Sequence, residues 1–150
     1  MTAAAPAAGS LLDMARRGAL PPLTLVLVRH GVTDMTETHA LSGSSVEGPP
    51  LNSRGRIQAA HAADAVYRMG RDSWDRVAPV TRLVASPMTR TQDTAGALGR
   101  RLGLHVETDD RVREVHFGEW EGRTAADIAA DDAAGLLAWQ RGAGRPPGGE

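Results

Sequence analysis

The feature that most constrains this chain is a six-residue apolar run, Leu23-Thr24-Leu25-Val26-Leu27-Val28, which passes without a break into Arg29-His30-Gly31-Val32-Thr33. The run follows Pro21-Pro22, is rich in branched side chains and is too short for an ordinary helix, so it predicts a strand buried on both faces. Strands of that kind belong to parallel sheets covered by helices. Ligands of such sheets bind beyond the carboxyl ends of the strands, which is where Arg29 and His30 fall. One short segment therefore suggests both a fold class and a place to look for chemistry.

Helices and strands alternate through the rest of the chain. Ser53 as a cap, Ile57, Ala60, Ala63 and Val66 near helical spacing, and Gly70 as a stop predict a helix over 53–69. Val80 to Ala85 is a second strand candidate, weakened by Thr81 and Arg82, and a helix follows over roughly 88–102, ending before Gly103. Leu104 to Glu107 is a third strand candidate. Thr124-Ala125-Ala126-Asp127 has capping-box spacing and opens an Ala-rich helix to about Gln140. Residues 37–50 and 142–150, rich in Gly and Pro, read as loop. Ser10 to Gly18 could form a short helix, so residues 1–20 read as a flexible leader or short helix ahead of one domain over 21–150. The expected fold is α/β, three layers (α/β/α) around a mainly parallel, mixed sheet.

Composition narrows the chemistry. All 17 basic residues are Arg, so an anion site here is built from guanidinium forks and not from ammonium groups. With no Cys, neither disulfides nor thiolate chemistry can be proposed. A net charge of −1 and few aromatic residues argue against nucleic acid as a partner. No apolar run reaches bilayer length, and residues 1–10 lack the basic start and leucine-rich centre of a secretory signal. The expectation is a cytoplasmic protein with no membrane partner. The histidines are scattered, so no metal site and no cofactor are expected.

Three segments carry candidate chemistry. In the first, Arg29 offers a planar fork for phosphate oxygens, a neutral His30 imidazole can act as a nucleophile, and Gly31 allows close backbone approach. In the second, Ser86-Pro87-Met88-Thr89-Arg90 places Arg90 near the positive end of the helix that follows. The third, Arg113-Glu114-Val115-His116-Phe117-Gly118-Glu119-Trp120-Glu121-Gly122, is a tight loop. Glu114 in it could serve as a general acid if its surroundings raise its pKa. His116 reads as structural, and Glu119 and Glu121 read as solvated.

Together with Pro50-Leu51-Asn52, Gly55, Gln58-Ala59 and Thr94-Ala95, these segments stand in an order that resembles the histidine phosphatase superfamily, also called phosphoglycerate mutase-like, over residues 24–150. The resemblance implies roles. His30 matches the histidine that becomes phosphorylated, Arg29 and Arg90 match the arginines that hold the phosphoryl oxygens, and Glu114 matches the proton donor to the leaving group. Thr33, Thr36, Ser42 and Gly43 match positions lining the phosphate and substrate pocket. The implied partner is a small phosphorylated metabolite, no metal is required, and a homo-oligomer is compatible with the pattern.

There are two departures from the family pattern. Thr36 stands where many members carry Asn, and no histidine here matches the family's second catalytic histidine, which lies in a Ser-His-Gly motif after a later strand. His39, His61, His105 and His116 all sit elsewhere, so the sequence is expected to be a piece truncated before that motif. The leading functional expectation is hydrolysis of small phosphate monoesters. The alternatives are mutase-type phosphoryl transfer, and a phosphate-binding pseudo-enzyme or inactive fragment. The Phe117-Gly118-Glu119-Trp120-Glu121-Gly122 loop resembles the phosphatase version over the mutase version.

Overall fold

A computed structural model of the chain describes residues 17–18 and 23–150. Apart from a turn at Arg17-Gly18, the helix expected over Ser10 to Gly18 lies outside the described residues. The elements are α1 (Asp34–Glu37), α2 (Ser53–Arg68), β1 (Leu83–Ala85), α3 (Thr89–Leu102), β2 (Val106–Thr108) and α4 (Ala125–Gln140), with 3-10 turns at Asp110–Val112 and Gly118–Trp120. Among the described residues β1 and β2 form a parallel pair, Leu83 opposite Val106 and Ala85 opposite Thr108. No helix of the described residues is long and apolar enough to cross a membrane.

The second and third strand candidates are present but shorter and shifted. Thr81 and Arg82 stay outside β1, and β2 starts at Val106, two residues later than expected. The helices lie close to their expected bounds, with two corrections in α2. Its cap is Asn52, whose side chain accepts the Gly55 N–H at 3.0 Å, and not Ser53. Its buried face is Gly55, Ala59, Ala63 and Val66, while Ile57 and Ala60 face solvent. Ala63 and Val66 are buried as the spacing implies, but toward the start of α2 the buried stripe runs through Ala59 and Gly55 instead of Ala60 and Ile57, because small residues are what α2 needs where it meets other backbone. An added Cβ on Gly55 would overlap the Val32 carbonyl oxygen, and one on Gly31 would overlap Gly55 O, so the two glycines let the His30 segment rest directly on the start of α2.

The largest correction concerns residues 23–28. They run as extended chain outside any strand, and among the described residues no backbone hydrogen bond joins them to another segment. Only Val26 is partly buried, packed with Val80, Leu83 and Leu102 around Ala63, Val66 and Leu98, whereas Leu23, Leu25 and Leu27 are 90%, 74% and 85% exposed. A strand is buried on both faces only when neighbouring strands take its N–H and C=O groups and helices cover it. Among the described residues β1 pairs with β2, leaving this run without a partner. Such a leucine stripe loses about 25 cal/mol of possible stabilisation per Å² left in water. The chain should therefore enhance the fluorescence of a hydrophobic dye, and Leu25→Ser with Leu27→Ser should reduce the enhancement several-fold; an unchanged signal would place the exposed apolar surface elsewhere.

A second core holds the 113–122 loop. Phe117, Trp120, Ile128 and Leu136 are buried together, with Leu41 and Trp139 against them. Trp139 meets Phe117 and Trp120 edge to face at 5.7 and 6.0 Å between centroids. The capping box at Thr124 forms as expected, with the Thr124 and Asp127 side chains bonding each other's backbone N–H groups. It fixes the start of α4 beside the Ala40–Thr124 bridge.

Candidate active site

Two clefts meet at His30. One, of about 310 Å³, is lined by Arg29, His30, Gly31, Val32, Thr36, Gln58 and Ala59. The other, of about 200 Å³, is lined by His30, Ser86, Met88, Arg90, Thr91, Val112, Arg113 and Glu114. Of the eight expected site residues, five border this space: His30 in both clefts, Arg29 and Thr36 on one side, Arg90 and Glu114 on the other.

His30 is half-buried, and its Nδ1 lies 2.7 Å from the Gly31 carbonyl oxygen. A carbonyl can only accept, so Nδ1 carries the hydrogen, and in the neutral ring the Nε2 lone pair is free. Burial first, then the positive charges of Arg90 and Arg29, hold the His30 pKa below its ordinary value, against the opposing pulls of the Gly31 bond and Glu114. The ring is therefore neutral at pH 7, with one nitrogen tied to backbone and the other available.

Arg90, on the first turn of α3, is 3% exposed. Its Nη1 donates to Ser42 Oγ at 3.2 Å and its Nη2 to Ser42 O at 2.9 Å, leaving its other N–H groups for an anion. The two halves of the site are joined by Thr94, which is buried. Its hydroxyl accepts the Gly31 N–H at 3.2 Å and donates to Arg90 O at 2.8 Å. On the other cleft, Gln58 Oε1 accepts the Val32 N–H at 2.9 Å. Glu114 Oε1 accepts the N–H of Val115 at 3.0 Å.

The remaining expected residues sit behind the clefts. Thr33 is fully buried; its hydroxyl caps α1 by accepting the Thr36 N–H at 3.1 Å and lies 3.0 Å from Thr36 Oγ1. Ser42 and Gly43 border neither cleft, because Ser42 is occupied with Arg90 and the Gly43 N–H donates to Glu121 Oε2 at 2.7 Å. That bond also corrects Glu121, expected to be solvated: it is a half-buried clamp whose Oε1 takes the Phe117 N–H at 3.2 Å. His116 is structural as expected, its Nδ1 accepting the Gly118 N–H at 3.1 Å. Among the described residues no group of three or more His, Cys, Asp or Glu could hold a metal ion.

Thr94 and Gln58 carry no local signal of a role in the site, and their partners show why. Each serves a backbone amide brought close only by folding, 63 and 26 residues away. Thr94→Val keeps the shape of the side chain but leaves the buried Gly31 N–H without an acceptor, at about 1–3 kcal/mol. It should lower the melting temperature and loosen His30 against Arg90, while Thr94→Ser restores both. A valine variant as stable as the parent would show that the hydroxyl does not join the two segments.

The chain is similar to known phosphatases and to phosphoglycerate mutase-like proteins. A family model described as histidine phosphatase superfamily (branch 1) matches residues 25–150. A glucosyl-3-phosphoglycerate phosphatase of Mycobacterium tuberculosis is 39% identical over 130 residues, covering 84% of this chain and 52% of that protein. A probable phosphoglycerate mutase of Yersinia enterocolitica is 32% identical over 110 residues, covering 73% of this chain and 46% of that protein. Among solved structures, a mycobacterial glucosyl-3-phosphoglycerate phosphatase complexed with VO3 superposes with a TM-score of 0.68 at 37% identity, over 81% of this chain and 53% of that one. The α-ribazole phosphatase of Shigella flexneri gives 0.63 at 28% identity, over 82% and 56%. The chain spans about half the length of the curated relatives it matches. The fold is the α/β/α arrangement of these phosphatases, and the chain belongs to the histidine phosphatase superfamily, branch 1.

Proposed function

We propose that this chain carries out phosphatase chemistry on small phosphate monoesters through a phosphohistidine at His30. The observation that carries the reading is His30 itself: Nδ1 bonded to a carbonyl, the pKa lowered, and the ring shared by two clefts that Arg29 lines on one side and Arg90 and Glu114 on the other. Nε2 attacks phosphorus as the P–O ester bond breaks, and Glu114, as the acid, gives its proton to the leaving alkoxide to form an alcohol. Water then attacks the phosphohistidine, Glu114 takes one of its protons, and inorganic phosphate leaves with His30 restored. The guanidinium groups of Arg29 and Arg90 offset the charge spreading over the phosphoryl oxygens in both steps, so the chemistry needs no metal ion and no cofactor. Thr36 borders the same cleft as Arg29 and suits a further hydrogen bond to substrate.

The substrate class is a small phosphorylated metabolite. The name of the mycobacterial relative points to a phosphorylated sugar derivative. A generic aryl phosphate tests the reaction class. Hydrolysis that vanadate inhibits and EDTA leaves unchanged is the expected result; activity that depends on added zinc or magnesium would overturn the metal-free reading. Transfer to a phosphoglycerate acceptor in place of water would favour the mutase alternative.

The acid limb of the rate should lie below pH 6.5. A lowered pKa keeps imidazole neutral to lower pH, so the nucleophile is lost only as pH falls past the ordinary histidine value and through the depressed one. A kcat/KM profile already falling well above pH 6.5 would contradict the assignment of that limb to His30.

A further inference from the structure

Arg90 is aimed by Ser42, through its hydroxyl and its backbone carbonyl, and the far end of that carbonyl's peptide is held by a carboxylate. Its Nη2 donates to the Ser42 carbonyl at 2.9 Å, and the N–H of the same peptide, that of Gly43, donates to Glu121 Oε2 at 2.7 Å. Guanidinium, peptide dipole and carboxylate are thus linked in series, each polarising the next. Around that line the fit is tight. An added Cβ on Gly43 would overlap both Glu121 Oε1 and the Val115 carbonyl oxygen, so only glycine lets this peptide lie directly against the carboxylate. The Phe117 N–H also bonds Glu121, and although burial pushes its pKa up, the backbone donors Gly43 and Phe117, with Ser45 nearby, hold it below the ordinary glutamate value.

We infer that Glu121 is a positioning residue for Arg90, acting through the Ser42–Gly43 peptide to fix the guanidinium in the orientation that receives a phosphoryl group. The inference rests on the phosphoryl-binding role of Arg90 proposed above. A glutamine at 121 keeps the size of the side chain but replaces one acceptor oxygen with a donor, so it cannot serve the Gly43 and Phe117 amides together. With one of the two amides left unpaired, the hold on the Ser42–Gly43 peptide weakens, and Arg90, kept only by Ser42, rotates more readily.

The test is a double-mutant cycle on vanadate binding to the full chain, read beside the side-chain nitrogen signals of Arg90 in an NMR spectrum. Glu121→Gln should weaken vanadate binding about ten-fold, the size of one lost charge-assisted hydrogen bond, and should speed rotation of the Arg90 guanidinium. In an Arg90→Ala background the same substitution should have no further effect on vanadate. Equal weakening in both backgrounds, or unchanged Arg90 rotation, would overturn the inference. If the unsubstituted chain binds no vanadate, the proposed phosphoryl chemistry fails, and Arg90 rotation alone decides the role of Glu121: slow in the parent and fast in the variant supports it, equal in both rejects it. If Glu121→Gln does not fold, couplings transmitted across the Gly43–Glu121 and Arg90–Ser42 hydrogen bonds in the parent decide instead. Both present supports the linkage, and the absence of either one rejects it.

Discussion

His30→Ala is expected to remove phosphoryl transfer, with kcat on an aryl phosphate falling on the order of a thousand-fold or more. The reason is stereochemical as well as chemical. Of the five histidines, only His30 borders either cleft, and it borders both. Its ring is fixed by the 2.7 Å bond to Gly31 O, so no rotation of a neighbour brings another nitrogen to the same point. A nucleophile that forms a covalent intermediate has no substitute among residues that only bind. Anion binding should persist in this variant, because Arg29 and Arg90 remain, so vanadate affinity should fall far less than turnover. A variant retaining most of its rate would remove His30 from the covalent role.

Arg90→Lys is the second large effect. Arg90 is nearly completely buried and splits its terminal nitrogens between Ser42 Oγ and Ser42 O while still facing the cleft. An ammonium is a point charge on a flexible stem; it cannot hold two acceptors on one edge and present a planar fork on the other. The expected loss is about ten-fold or more in kcat/KM, from at least one charge-assisted hydrogen bond of about 1.5 kcal/mol or above. The melting temperature should fall as well, because the Ser42 carbonyl loses its donor. Turnover equal to the parent would place Arg90 outside the phosphoryl site.

The fold class and the family were legible in the sequence, and so were the candidate site residues that folding brings to one place. His30, Arg90 and Glu114 were identifiable because each falls at the end of a local pattern: an apolar run, a Ser-Pro turn ahead of a helix, and a glycine-bounded loop. The helix bounds followed from equally local signals, Gly103 in the left-handed conformation after α3 and the reciprocal Thr124–Asp127 cap before α4. What failed depended on distant partners. Residues 23–28 have the composition of a buried strand, but burial is a property of neighbours, and among the described residues no strand pairs with the run and only Val26 packs into a core. The bonds that Ser42 and Gly43 make to Arg90 and Glu121, 48 and 78 residues away, are likewise set by folding and not by any local pattern. No local pattern distinguishes Glu121 from Glu119 two residues earlier; only the closing of the 42–45 loop against 117–121 does.

The central claim is that a phosphoryl group passes through His30, and the most direct measurement is to find where it rests. The chain is mixed with a phosphoryl donor, quenched during turnover and digested, and the labelled peptide is sequenced. The account predicts a label that is stable in base, lost in acid and located on His30. A label on serine or aspartate, or rapid turnover with no protein-bound phosphoryl group at any time, would contradict it.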